Sequence, residues 1–269
     1  MPAWICVTCG VQHAPSPERP DSCPICLDER QYVGWGGQRF TTQDELAAGH
    51  RNEVREEEAG LHGIGTSPPF AIGQRALLVR APGGNVLWDC VSLLDGATVD
   101  AVRALGGVDV ICCSHPHFYG SLVDWADAFD AAVLLPAADR RWALRPSERI
   151  RFFEEDAVEP VAGLTLARIG GHFEGACVLY WPEGAEGRGA LLTGDTITVV
   201  QDRAWVSFMY SYPNLIPLDE ATVRGIARRV EAFAFVRVYG GWWGRVVVED
   251  GAAAVARSAE RYVRRLHGT

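Results

Sequence analysis

In Val108-Asp-Val-Ile-Cys-Cys-Ser-His-Pro-His117 an apolar run of single-strand length breaks at once into two histidines one residue apart. Two imidazoles placed so at a strand end can both reach one ion if the chain bends, and Pro116 favours a bend. The arrangement recurs downstream. Ile169-Gly-Gly-His-Phe-Glu-Gly175 sets His172 after another apolar strand, and Leu191-Leu-Thr-Gly-Asp195 closes a third strand on a carboxylate. Taken singly, a histidine after a strand is a hydrogen-bonded loop residue and Gly-Asp is a turn. Taken together, His115, His117, His172 and Asp195 form a candidate site for Zn or Fe with a position open to water or substrate.

Around these residues the chain reads as strands with helices between groups of them. Ala76–Arg80, a Pro-Gly-Gly-Asn turn at 82–85 and Val86–Trp88 make a hairpin ending in Asp89. Helices are expected near Thr98–Leu105, Leu122–Phe129, Glu220–Phe233 and Ala252–Leu266, the last two with apolar residues at helical spacing. Further strands fall at Ala132–Leu135, Leu164–Ile169, Ala176–Trp181, Ala190–Thr193 and Phe235–Tyr239. Such a pattern predicts packed sheets with helices outside them rather than one parallel sheet. Upstream, Thr42-Gln-Asp-Glu45 is a capping box opening a short helix that fades into Arg55-Glu-Glu-Glu58, and the Gly- and Pro-rich stretch 60–69 reads as a linker or entry loop. The expected division is a four-cysteine module at 1–40, a helix and linker at 41–69, and the main domain at 70–269.

The N-terminal module rests on Cys6-Val-Thr-Cys9 and Cys23-Pro-Ile-Cys26. Each C-x-x-C turn points two thiolates at one centre, and two such turns complete a tetrahedral shell for Zn(II) or a single Fe. Two disulfides are the alternative, disfavoured in a chain that starts without a basic and then apolar leader. The pattern resembles zinc ribbons and rubredoxin knuckles. Zinc is the expected structural ion, and iron would make the module an electron carrier. Cys90, Cys112, Cys113 and Cys177 lie in apolar stretches and read as buried free thiols.

Over 269 residues, 25 basic side chains against 34 acidic ones give a formal charge of −9. That argues against a broad nucleic-acid-binding face, and no apolar run approaches the ~20 residues of a membrane helix. A cytoplasmic protein is expected, with the oligomeric state open.

At the histidine and aspartate motifs the chain resembles the metallo-β-lactamase superfamily. The resemblance runs over about residues 70–245 and implies an αββα sandwich of the α/β (α+β) class with metal at one sheet edge. Leu87-Trp-Asp89 matches the family's first motif, His115-Pro-His-Phe-Tyr-Gly120 its His-x-His-x-Asp-His, Gly171-His172 its third and Gly194-Asp195 its fourth. It implies a first metal site of His115, His117, His172 and a shared Asp195. The second site is depleted: Tyr119 and Gly120 replace its Asp and His, and no histidine follows the late strand near Tyr239-Gly-Gly-Trp-Trp243. One metal is expected rather than two.

A single Zn held by three imidazoles can bring water to a pKa of roughly 7, so hydrolysis survives loss of the second ion. Asp195 is then expected to orient that water or take its proton. Tyr119 either donates a hydrogen bond to a developing oxyanion or fills the empty space, and Asp89 supports the histidine loop. Tyr210, Tyr212 and Asn214 either cover the pocket or pack as a surface loop, and Trp242 and Trp243 wall the cavity. An aromatic pocket suits a small ester, lactone or thioester. The alternatives are a non-catalytic binding protein of the same fold and a mononuclear iron oxidoreductase fed by a rubredoxin-like module.

Overall fold

The computed structural model describes residues 1–268. Two sheets stack face to face. The first has seven strands in the spatial order Ile150–Phe153, Ala132–Pro136, Val110–Cys112, Gly84–Trp88, Arg75–Ala81, Leu61–Ser67, Arg51–Glu58. The first four run parallel, and the pairings from Gly84–Trp88 onward are antiparallel. The second sheet orders Ala157–Val158, Thr165–Arg168, Cys177–Trp181, Ala190–Leu192, Arg237–Tyr239 and Val246–Val247.

The strand period of two assigns each side chain to a layer. Leu77, Val79, Val86 and Trp88 face Leu166, Cys177, Leu179 and Leu192 across the sandwich. Their neighbours Ala76, Leu78, Leu87 and Ile111 turn outward to meet Val102, Leu122, Trp125 and Ala126 of the helices Gly96–Ala104 and Leu122–Phe129. On the far side Val178, Leu191 and Val238 pack on the helices Glu220–Val230 and Gly251–Leu266 through Val223, Ile226, Val255 and Ala259. The layers are therefore helix, sheet, sheet, helix.

Stretch 41–69 departs from the expected helix and linker. The helix Gln43–Ala47 keeps its capping box, but Arg51–Glu58 and Leu61–Ser67 form the outer hairpin of the first sheet. Arg51–Glu58 hides its strand character under charge, as suits an edge strand that must not recruit another chain. Gly63 and Gly65 are not turn residues. A Cβ at either would lie 2.5 Å from the Trp243 indole, so these glycines let a large ring lie flat on a strand.

The N-terminal module is a three-stranded sheet, Gln12–Pro15, Ala3–Cys6 and Phe40–Thr41. It packs against the outer side of the first sheet, where Val11 and Ile25 join the same apolar cluster as Val91 and Leu122. Backbone and side-chain bonds fasten it: Gln12 N donates to Gly120 O at 3.0 Å, and Ser92 Oγ to Gly10 O at 2.7 Å.

Candidate metal centre

His115 and His117 enter the site because the strand Val110–Cys112 ends beside Asp89 and the chain then tightens into a 3-10 turn at Pro116–Phe118. Asp89 Oδ1 accepts from Ser114 N at 2.7 Å and from Ser114 Oγ at 2.8 Å. With its own proton committed there, Ser114 Oγ receives His115 Nδ1–H at 2.9 Å. That leaves His115 Nε2 without a proton, buried, and without a hydrogen-bond partner. It lies 3.5 Å from Asp195 Oδ2. Asp89 thus supports the histidine loop through Ser114. Burial pushes the Asp89 carboxyl up to about 8, against the two hydrogen bonds from Ser114.

His172 is oriented in the same manner. Its Nδ1 donates to the Met209 carbonyl at 3.1 Å, which turns Nε2 toward His117 Nδ1 at 3.3 Å and Asp195 Oδ2 at 3.8 Å. His117 is positioned by packing, with its ring edge-on to Phe173 at 4.9 Å. Burial, then the neighbouring imidazoles, hold His117 well below its ordinary value, and burial followed by His115 lowers His172 to about 4. Both rings are neutral near pH 7, as a metal ligand must be. Burial works against ionising Asp195, yet the facing imidazoles of His115 and His172 leave it net below its ordinary value. One donor atom from each of the four buried side chains lies within 4.8 Å of all the others. Converging unprotonated nitrogens and a carboxylate oxygen, with His115 Nε2 unsatisfied in the interior, fit a single cation.

Two of the remaining ligand positions have no room for a side chain. Gly120 has φ +51°, and a Cβ there would lie 2.7 Å from Cys90 O and 2.8 Å from Val91 O. A Cβ on Gly241 would strike the Phe118 ring at 2.5 Å. Tyr119 does not reach the site. Side chains two apart on a 3-10 turn point well away from each other, so with His117 facing the imidazoles Tyr119 enters the core beside Val11 and Leu122. Its buried hydroxyl has no partner there. The oxyanion role expected of Tyr119 has no geometric support, and its space-filling role does.

His117, His172 and Asp195 border a cavity of about 670 Å3. Ile72, Tyr212, Trp242 and Trp243 form its apolar wall. Tyr212 also donates to the Asp195 carbonyl at 2.9 Å. Tyr210 and Asn214 do other work: they bond Glu29 Oε1 and the carbonyls of Glu29 and Gln31, fastening the N-terminal module to this rim. Arg30, Gln31, Gln201 and Arg245 border the same cavity. Sequence reasoning missed all four, because nothing in their local context marks a residue that tertiary packing brings to a site.

Cys6, Cys9, Cys23 and Cys26 form a second donor cluster, all buried and all free thiols. Sγ of Cys6 lies 3.6 Å from that of Cys26, and Cys9 lies 3.7 Å from Cys23. These distances exclude disulfides and match the roughly 3.8 Å edge of a tetrahedron built on metal–sulfur bonds of about 2.3 Å. Hydrogen bonds from Cys26, Cys6 and Cys9 hold the Cys23 thiol far below its ordinary value, while bonding to Cys23 raises Cys9 and Cys26. Such crowded sulfurs share negative charge that a cation relieves.

A layered sandwich with imidazoles and a carboxylate converging from the ends of its strands is the architecture of a metallo-β-lactamase-type metal centre. Over residues 71–233 the sequence matches the family described as the Metallo-beta-lactamase superfamily, and the chain belongs to that superfamily. It is 48% identical over 269 residues to the uncharacterized protein YmaE of Bacillus subtilis (strain 168), covering 99% of this chain and 98% of that one. Among solved structures it is similar to VMB-1 (TM-score 0.60, 11% identity, 80% of this chain and 98% of that one). A metallo-beta-lactamase from Hirschia baltica gives a TM-score of 0.56 at 19% identity, over 78% of this chain and 96% of that one. These structural likenesses show the fold.

Proposed function

We propose that the chain is a metal-dependent hydrolase of a small ester, lactone or thioester, working with one ion, with Zn the expected ion at both clusters. The observation that carries this reading is a buried three-histidine, one-aspartate cluster bordering a cavity, with no room for a side chain at Gly120 or Gly241. A divalent cation there supplies Lewis acidity, acidifying water and polarising a carbonyl. The protein's own contribution is orientation. Ser114 and the Met209 carbonyl fix the tautomers of His115 and His172. Thr198 Oγ1 bonds Asp195 Oδ1 at 3.3 Å, leaving Oδ2 on the imidazole side, where it would hold the ion or orient its water. Trp242, Trp243 and Ile72 exclude solvent and take the apolar part of the substrate.

Among the described residues no helix is long and apolar enough to cross a membrane. Eight free cysteines support a reducing compartment, and we place the chain in the cytoplasm.

Metal analysis and a panel of ester, lactone and thioester substrates test the reading. We expect two Zn per chain, turnover that needs the metal, and loss of roughly 100-fold or more in His117→Ala and Asp195→Asn. A fully loaded protein without turnover on any class overturns it in favour of a binding role. An iron–thiolate absorption band favours the oxidoreductase alternative.

A further inference from the structure

We propose that the cavity takes a small molecule carrying one carboxylate on an apolar body, and that Arg245 binds the carboxylate. The inference names the substrate class of the hydrolase proposed above and rests on that reading only in treating the bound molecule as substrate.

Arg245 ends the turn that follows the strand Arg237–Tyr239. Its backbone is pinned, with its N–H donating to Trp242 O at 3.1 Å and its carbonyl accepting from Gly240 N at 2.8 Å. The side chain, partly withdrawn from water, borders the cavity next to Trp242 and Trp243. No hydrogen-bond acceptor or carboxylate meets its guanidinium among the described residues. The other shielded arginines nearby are all matched: Arg30 by Asp28, Arg75 by Glu57 and Arg237 by Glu58. The charged neighbour of Arg245 is a second cation, Arg203, which is itself bonded to the carbonyls of Val200, Gln201 and Gly244. Burial and that like charge both lower the pKa of Arg245. A partly shielded arginine beside a like charge, with no acid to meet it, is free to take its acceptor from a ligand.

The cavity's charge balance points the same way. Asp195 is the single acid on its lining and is committed to the imidazoles, while Arg30 is neutralised by Asp28. With Arg30 paired and Asp195 turned to the imidazoles, Arg245 is the lining charge left to meet an anion. One planar guanidinium matches one carboxylate through two parallel N–H···O bonds. Gln31 supplies a second polar anchor: it is 4% exposed, borders the cavity, and its Oε1 has no partner. The rest of the wall, Ile72, Tyr212, Trp242 and Trp243, accepts hydrocarbon or an aromatic ring.

The test is calorimetric titration of the metal-loaded protein with 3-phenylpropanoate and its uncharged isostere 3-phenylpropanamide. The carboxylate is expected to bind at least about tenfold more tightly, with the preference shrinking as salt rises. Arg245→Gln should remove most of that preference while leaving the amide's Kd within about threefold, and Arg245→Lys should restore part of it. Equal affinity for the two probes, or binding of neither, overturns the proposal. So does a preference that survives in Arg245→Gln and disappears in His117→Ala, since the carboxylate would then sit on the histidine cluster. Because no turnover is measured, the outcome is separable from the hydrolase reading: an Arg245-dependent preference in a protein that hydrolyses nothing leaves this site standing and removes that reaction.

Discussion

Arg30 of the N-terminal module donates from Nη1 to the carbonyl oxygen of His172 at 3.4 Å, across 142 positions of sequence. Its guanidinium lies 4.0 Å from the Phe173 ring centroid and is forked onto Asp28 at 2.6 and 2.8 Å. Asp28 follows the second cysteine knuckle by two residues. The four-cysteine cluster and the histidine cluster are thus joined by a short run of side chains, and the module closes one side of the His172 loop.

Disturbing the module should accordingly weaken the distant site. Arg30→Ala is expected to lower metal affinity at the histidine cluster about tenfold, and Cys23→Ser at least as much, within the range for residues that orient ligands. Competition with a chromophoric chelator, or the separate Co(II) spectra of thiolate and imidazole sites, measures this. Unchanged affinity in Arg30→Ala shows the contact to be incidental.

Ser114 sets the tautomer of His115, and its removal should be felt in metal binding before it is felt in folding. Ser114→Ala deprives His115 Nδ1–H of its acceptor and Asp89 of a donor. An affinity loss of roughly 10- to 100-fold is expected, with the thermal midpoint moving by only a few degrees. Ser114→Thr, which keeps the hydroxyl, should retain more affinity than Ala.

Restoring the missing second-site histidines should not restore a second ion. Gly120→His must place a Cβ against two carbonyl oxygens from a left-handed backbone, a cost of about 2 kcal/mol or more. Gly120→His with Gly241→His is expected to melt earlier and still bind one ion at the histidine cluster. A stoichiometry of two there, by metal analysis against the four-cysteine site, contradicts the closed geometry.

Asp139 gives a pH-dependent signature. It is buried, its Oδ2 has no partner, and its Oδ1 accepts from Gly175 N at 3.1 Å. Burial raises its pKa to about 6 from an ordinary value of 3.8. Between those values the folded state binds more protons than the unfolded one, so this group's contribution to stability falls as pH rises and is flat above about 6. Asp139→Asn removes that slope. The stability of the variant minus that of wild type should therefore increase from pH 4 to pH 6.5 by about 2 kcal/mol. Urea unfolding at both pH values decides it, and a constant difference refutes the assignment.

Local chemistry made the candidate metal ligands legible. Val108–His117, Gly171-His172 and Gly194-Asp195 each end an apolar strand on a donor, and C-x-x-C turns declare themselves by spacing. The layered fold followed from apolar periodicity, with the main-domain helices and strands falling within a few residues of their expected bounds. Stretch 51–67 was opaque because an edge strand written in charges looks solvated, and because Gly63 and Gly65 answer to Trp243, nearly two hundred positions away. Tyr119 was misdirecting because its motif position places it at a site from which the turn geometry rotates it.

By itself the sequence determined which residues can ligate metal and which face of each strand and helix is buried, since both depend on side-chain type and short-range period. Only the tertiary structure decided that four donors lie within 4.8 Å of one another, that Gly120 and Gly241 have no room for a further ligand, and that Arg30, Gln31 and Arg245 border one cavity. Those facts are distances between segments far apart along the chain. They are set by how layers pack, which no local pattern encodes.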